Sequence, residues 1–368
     1  MALALCERKR LVWPVTGLLL GALVATNPFY TPDITLLLGT LAWCVDMVAV
    51  LILSANPAGA RTGSLMAGLF LAVPCFMPAT PLSRGLLMCC MAAPFLGAGA
   101  LVLAPPITSF RARLGYLLSW SDARQVKRRA HALDLALLVQ LVTATAVLAA
   151  AISVAKTSSG SGLGMVVRWF AGGIIILAFG EMATAALPLV ATGFGLSLPP
   201  LMHSPYRSTS IGEFWSKRWN VYASQRIIGP FLFLPLWRRG VALALLTSFA
   251  LSGLGHALLT YMALGRWNIS IMAGVYFIVQ PLIILGERRL EARRWRPVAA
   301  HLWTLGILGL TSPLFVEPAL QIVEKSWGTT NEVLLPTTAV LGFALGFSCV
   351  VSLACLASLQ VPSVDSAR

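Results

Sequence analysis

The chain has 368 residues, of which 58% are apolar and only 11% charged, and it carries a formal net charge of +14. A soluble globular domain carries roughly 25% charged residues; a chain this apolar cannot hide its side chains behind a water-facing surface, so lipid is the solvent the composition demands. The basic residues fall in short clusters between apolar stretches, which excludes the broad basic face of a nucleic-acid binder and suits juxtamembrane loops.

In chain order, a charged cluster (Glu7, Arg8, Lys9, Arg10) precedes an apolar run. It reads as a first transmembrane helix rather than a signal peptide, because no Ala-x-Ala-like cleavage site follows. A span needs about 20 apolar residues. Candidates fall at 11–28, 34–54, 64–82, 85–104, 132–155, 166–195, 241–264, 268–286, 298–316 and 333–358. The third and fourth are separated by little more than Ser83-Arg84, so the expectation is an all-α polytopic protein of about eight to ten spans. With a cytosolic N-terminus, the clusters at 111–129, 217–239 and 288–296 all fall on the cytosolic side, and the opposite loops hold few Lys or Arg. Residues 107–130 mix Phe110, Leu114, Tyr116, Leu117 and Trp120 with arginines, as an interfacial helix does. The seven cysteines lie mostly within apolar segments, without a Cys-x-x-Cys, and read as packing residues.

Residues 196–240 form a long connection without obvious regular structure, which is functional or disordered as a rule. Its Tyr206, Phe214, Trp215 and Trp219 argue against disorder. Soon afterwards comes Ser252-Gly-Leu-Gly-His256 inside a span. An intramembrane histidine is costly and is a functional candidate by default; the alternative is a neutral imidazole bonded to a neighbouring helix. Ser252 lies one helical turn before it, on the same face, and Gly253 and Gly255 leave room for a helix or a ligand.

Tyr206-x-Ser-x-Ser, then Glu213-Phe-Trp-Ser-Lys-Arg-Trp-Asn220, then Ser252-Gly-Leu-Gly-His256 resembles the wax synthase-like branch of the membrane-bound O-acyltransferase superfamily. The matched core runs from about Pro205 to Leu259, with Pro313-Leu314-Phe315 as a later echo, and the whole chain reads as one membrane domain with a catalytic core at about 196–316. The resemblance implies acyl transfer from acyl-CoA, a co-substrate and not a resident cofactor, to the hydroxyl of a lipophilic alcohol. It implies His256 as catalytic base, and Asn220 as a second catalytic residue that orients the thioester or donates to the oxyanion. An asparagine at such a junction is also a candidate N-cap. Trp215 and Trp219 would wall the acyl tunnel or anchor the interface. Lys217, Arg218 and Arg226 would clamp CoA phosphates or serve as retained positive charges, and Ser252 accompanies His256 in the site.

Gly255-His256-Ala257 lacks the acidic residue that often follows the histidine in plant-type members. That departure weighs against a long-chain wax substrate, and the short length and the region around Arg113–Lys127 resemble fungal members that acetylate terpenoid or meroterpenoid hydroxyls, so acetyl-CoA with such an alcohol is the first expectation. A long-chain wax ester synthase is the alternative, and a multi-span transporter the alternative from another class. No internal repeat supports the transporter. The expected location is a multi-pass membrane, the endoplasmic reticulum in a eukaryote, with the CoA site facing the cytosol. Glu181, Arg168 and Asp46 lie within apolar runs without an assigned role. No metal-ligand cluster, Walker A or Gly-x-Ser-x-Gly elbow is evident.

Overall fold

The computed structural model describes residues 34–77, 81–103, 110, 113, 117, 126–128, 134–158, 161–327 and 334–359. The expected first span, His131, and most of the expected interfacial helix lie outside these residues. The end of that stretch, Lys127–Arg128 (β1), is a short strand paired antiparallel with Leu196–Ser197 (β2).

The helices are α1 (Ile34–Leu53), α2 (Pro57–Phe70), α3 (Pro81–Leu103), α4 (Leu135–Thr157), α5 (Gly162–Gly193), α6 (Val241–Leu264), α7 (Trp267–Arg289), α8 (Pro297–Thr311), α9 (Pro313–Trp327) and α10 (Leu334–Leu359). Among the described residues α4, α5, α6 and α7 are each long and apolar enough to cross a membrane, and α8 with α9 makes a fifth if the bent pair counts as one span. Their outward faces carry Val139, Val142, Leu163, Val166, Leu243, Leu282 and Leu310 in the open. Helices satisfy their own backbone groups in hydrocarbon, so apolar helices with bare Leu and Val faces define an integral membrane helical protein.

Two expected spans differ. The span expected at 64–82 is the 14-residue α2 followed by a tight turn at Val73–Phe76. The Asn56 side chain accepts from the Gly59 N–H, and Pro57 starts the helix there. At 1.5 Å per residue α2 is about 21 Å long, short of the roughly 30 Å hydrocarbon core. The span expected at 298–316 is broken: α8 and α9 meet at Ser312 with a bend of 51°. Pro313 has no N–H to continue the helical ladder, and the Ser312 carbonyl instead accepts from Phe315 and Val316. Helix α9 then continues to Trp327 where a loop was expected to begin.

Helix α9 is the hub, touching α3, α5, α6 and α7. The hairpins α4–α5 and α6–α7 flank it, α10 leans on α4 and α5, and α1–α3 form a bundle beside α6. The α6–α7 contact depends on Gly253. A Cβ there would lie 2.8 Å from the Gly274 carbonyl oxygen and 3.1 Å from Phe277 Cβ, whereas at Gly255 nothing lies within 4 Å. Gly253→Ala is therefore expected to destabilise the protein by roughly 1–3 kcal/mol, as overpacking does. Thermal unfolding in detergent should fall for Gly253→Ala and stay unchanged for Gly255→Ala; equal behaviour would contradict the close crossing.

Candidate active site

The connection expected to lack regular structure is a series of helical turns: Pro205–Arg207, Ile211–Glu213, then wide π-type turns at Phe214–Arg218 and Ala223–Phe233, ending in Leu234–Trp237. It closes on itself, with His203 N–H donating to the Arg218 carbonyl and Val221 N–H to the Leu201 carbonyl, both at 2.9 Å. Glu213 organises the first half. Its carboxylate accepts from the Thr209 N–H (2.9 Å) and hydroxyl (2.8 Å), and from Arg218 Nε at 2.7 Å. Partial burial works against its ionisation, but the Thr209 hydrogen bonds and Arg218 outweigh that and hold the carboxyl below its ordinary value of 4.5. Arg218 Nη1 also donates to the His203 carbonyl at 3.2 Å.

The connection is bolted to the helices from one end. The buried Glu287 carboxylate near the end of α7 accepts from the N–H groups of Ile211 (2.9 Å) and Gly212 (3.4 Å), and from the Trp303 indole of α8 at 3.1 Å. His301 Nδ1–H donates to the Ser208 carbonyl at 3.0 Å; the carbonyl can only accept, so the imidazole is the donor. These contacts hold 208–213 beside the end of α7 and against α8.

The turns hold aromatic side chains against α6 and α7. Trp215 packs edge-on to Phe249 (5.7 Å) and Tyr276 (6.1 Å), and at 5.4 Å from Phe277. Its indole N–H donates to Gln280 Oε1 at 3.1 Å, and Gln280 donates onward to Thr311 at 3.3 Å. Trp219 stacks on Phe214 at 5.5 Å. Asn220 has φ +39°, the left-handed region that asparagine tolerates. Its Oδ1 accepts from the Ala223 N–H at 3.2 Å, so it caps the following turns, and this orientation leaves the two Nδ2 hydrogens for another partner.

His256, half-buried on α6, stacks on Phe277 of α7 with centroids 4.2 Å apart and meets Phe315 of α9 edge-on at 5.6 Å. Its Nδ1 lies 2.8 Å from the Ser252 carbonyl. That carbonyl only accepts, so Nδ1 carries the proton of the neutral ring and Nε2 keeps its lone pair. No hydrogen bond to Nε2 is found among the described residues.

His256, Ser252, Trp215, Lys217, Trp219 and Asn220 all line one apolar cavity of about 2550 Å³ that reaches from α2 and α3 to α10. Lys217 is exposed at the cavity, Arg218 is engaged with Glu213 rather than lining it, and the side chain of Arg226 lies outside the described residues. Ser252 contributes its carbonyl to His256. Of the unassigned charges, Arg168 pairs with Glu317 at 3.3 Å and with Glu324, tying α5 to α9. Glu181 Oε2 accepts from Gln140 at 2.7 Å, while its Oε1 and both oxygens of Asp46 are buried without a partner among the described residues. Residues that sequence reasoning missed are Glu287, Gln280 and Tyr276, which share the buried face of α7 at helical spacing. Their i, i+4 and i, i+7 pattern was a signal, but a buried helix face carries it for packing as well.

Residues 198–279, which hold the connection, His256 and the α6–α7 hairpin, match the family model described as "Membrane bound O-acyl transferase family". The chain is similar to curated proteins named as long-chain-alcohol O-fatty-acyltransferases. The chain is 26% identical over 151 residues to the probable long-chain-alcohol O-fatty-acyltransferase 2 of Arabidopsis thaliana, covering 38% of this chain and 40% of the relative. It is 31% identical over 159 residues to the long-chain-alcohol O-fatty-acyltransferase of Simmondsia chinensis, covering 38% and 44%. The matched segment thus spans less than half the length of either relative.

Two outcomes test this geometry. Glu287→Ala leaves two backbone N–H groups and an indole N–H without their acceptor, at roughly 1–3 kcal/mol each. It should lower the unfolding temperature and open the connection to trypsin at Arg207 and Arg218, with Glu287→Gln intermediate; unchanged cleavage would count against the bolt. The stabilisation from Glu213 is complete above its ordinary value and is lost as pH falls through the lowered one. Pepsin resistance of residues 208–220 should therefore decline as pH drops below that value in the native chain. In Glu213→Gln it should be lower at the outset and flat across the same range.

Proposed function

We propose that the protein is an acyl-CoA-dependent O-acyltransferase that joins a long-chain acyl group to a long-chain alcohol, with His256 as the general base. The observation that carries the reading is His256 itself: a tautomer set by the Ser252 carbonyl, with a free Nε2 lone pair on a large apolar cavity.

In this reading the alcohol hydroxyl gives its proton to Nε2 as its oxygen attacks the thioester carbonyl. The tetrahedral oxyanion collapses, the C–S bond breaks, and the CoA thiolate takes the proton from the imidazolium. No acyl-enzyme is needed. Asn220 supplies Nδ2–H donors to the oxyanion, an interaction whose removal typically costs 10²–10³ in kcat. Trp215 and Trp219 wall the acyl chain. Lys217 at the cavity mouth meets the CoA phosphates on the cytosolic side, where the positive loops lie; Arg218 holds the connection through Glu213, and Arg226 remains a candidate phosphate partner. Ser252 acts through its carbonyl.

Two findings favour the long-chain alternative over acetyl transfer to a terpenoid hydroxyl. The curated relatives are named for long-chain alcohols and fatty acyl groups. The cavity, at about 2550 Å³, is more than twice the top of the roughly 300–1,000 Å³ range of ordinary small-molecule sites.

The test is a microsomal assay with labelled palmitoyl-CoA and acetyl-CoA, each offered hexadecanol and a polycyclic terpenoid alcohol. Palmitoyl transfer to hexadecanol is expected to dominate, and His256→Ala to abolish it. Full activity in His256→Ala would overturn the mechanism, and a preference for acetyl-CoA with the polycyclic alcohol would overturn the substrate class.

A further inference from the structure

The buried face of α7 presents Ala273, Tyr276, Phe277, Gln280, Ile284 and Glu287. Three of these carry polar groups, and two are fully engaged. Glu287 takes the Ile211, Gly212 and Trp303 donors, and Gln280 bridges Trp215 and Thr311. The third, the Tyr276 hydroxyl, has no hydrogen-bond partner among the described residues. Tyr276 is only 7% exposed, yet it lines the cavity that His256 lines.

The Tyr276 oxygen is not sealed within the packing as the Asp46 carboxylate oxygens are, so it is open to the cavity, where a hydrogen-bond partner has to come from what the cavity holds. Here the ring is held tightly. It stacks on Phe315 at 5.2 Å, meets Phe277 edge-on at 5.4 Å and touches Trp215 at 6.1 Å. The His256 imidazole packs against the same two phenylalanines, at 4.2 and 5.6 Å. Base and phenol thus flank one pair of rings. A donor fixed by packing, with no acceptor among the described residues, is pre-organised for an acceptor on a ligand.

We infer that the Tyr276 hydroxyl donates a hydrogen bond to the thioester carbonyl oxygen as it becomes an oxyanion, making Tyr276 a second oxyanion donor beside Asn220. The inference rests on the acyltransfer reading. Tyr276 keeps its proton throughout: the alcohol proton passes to His256 Nε2 and then to the departing CoA thiolate, and the phenol only stabilises charge on the carbonyl oxygen. The polar stripe of α7 then has a division of labour, Glu287 and Gln280 holding the connection in place and Tyr276 acting on the substrate.

The test is Tyr276→Phe in the full-length protein, which keeps the ring and removes the oxygen. Palmitoyl transfer to hexadecanol is expected to fall about 10²-fold in kcat. Affinity for the S-hexadecyl thioether of CoA, which lacks the carbonyl, should stay at the native value. The unfolding temperature should not fall, because the hydroxyl gives up no protein partner. A native kcat in Tyr276→Phe, with the native protein active and His256→Ala inactive, overturns this inference and leaves the acyltransfer reading standing. A lowered unfolding temperature or a parallel loss of thioether affinity also overturns it, since either marks a structural hydroxyl. A native protein inactive with every donor and alcohol overturns both.

Discussion

The carboxylate of Glu287 is the fastening on which the arrangement around His256 depends. A connection of about forty residues packed against apolar helices must find acceptors for its buried N–H groups. Glu287 provides them at the point where that connection turns, accepting from Ile211 and Gly212 while holding Trp303 of α8 in place. Everything downstream inherits this position: the Glu213–Arg218 pair, Trp215 with its bond to Gln280, the Phe214–Trp219 stack, and Asn220 in its left-handed conformation. A carboxylate is suited to the task because it offers about four lone-pair sites to several donors at once.

The second constraint is the break at Ser312. A straight helix from 297 to 327 would carry its C-terminal half past the bundle. The bend at Pro313 turns α9 inward, so that Phe315 meets both His256 and Tyr276 and the helix touches four others. One turn past the bend Arg168 and Trp169 of α5 bond to Glu317, and Arg168 also pairs with Glu324 further along α9. The aromatic group of Trp215, Phe249, Tyr276, Phe277 and Phe315 is thereby gripped from α6, α7, α9 and the connection together. Such a cluster holds the His256 ring in one position, which is what the proposed proton transfer would require, because small displacements cost rate.

Asn220 shows how one residue serves two demands. Its Oδ1 caps the turns that begin at Ala223, which is what a junction asparagine does on local grounds alone. Capping also orients the amide, so the structural bond and the availability of Nδ2 are parts of one geometry rather than rival explanations.

The sequence by itself determined the solvent and the elements. Composition and apolar run length demanded a helical membrane protein, and α4, α5, α6 and α7 sit close to where the runs placed them. The Trp-rich block and the intramembrane His256 were visible as candidate functional residues, because an ionisable side chain is expensive in an apolar setting. Local signals also explain where the expectations slipped. The Asn56-Pro57 start of α2 and the Pro313 break were written in the chain, but an average over apolar residues is blind to a single capping side chain or a missing N–H. Only the tertiary structure decided which polar groups have partners. Glu287, Gln280 and Tyr276 follow one helical stripe and look alike in sequence; one grips a backbone, one bridges two side chains, and one lines the cavity with no partner among the described residues. Pairing is a property of two segments brought together, and a one-dimensional pattern records only one of them.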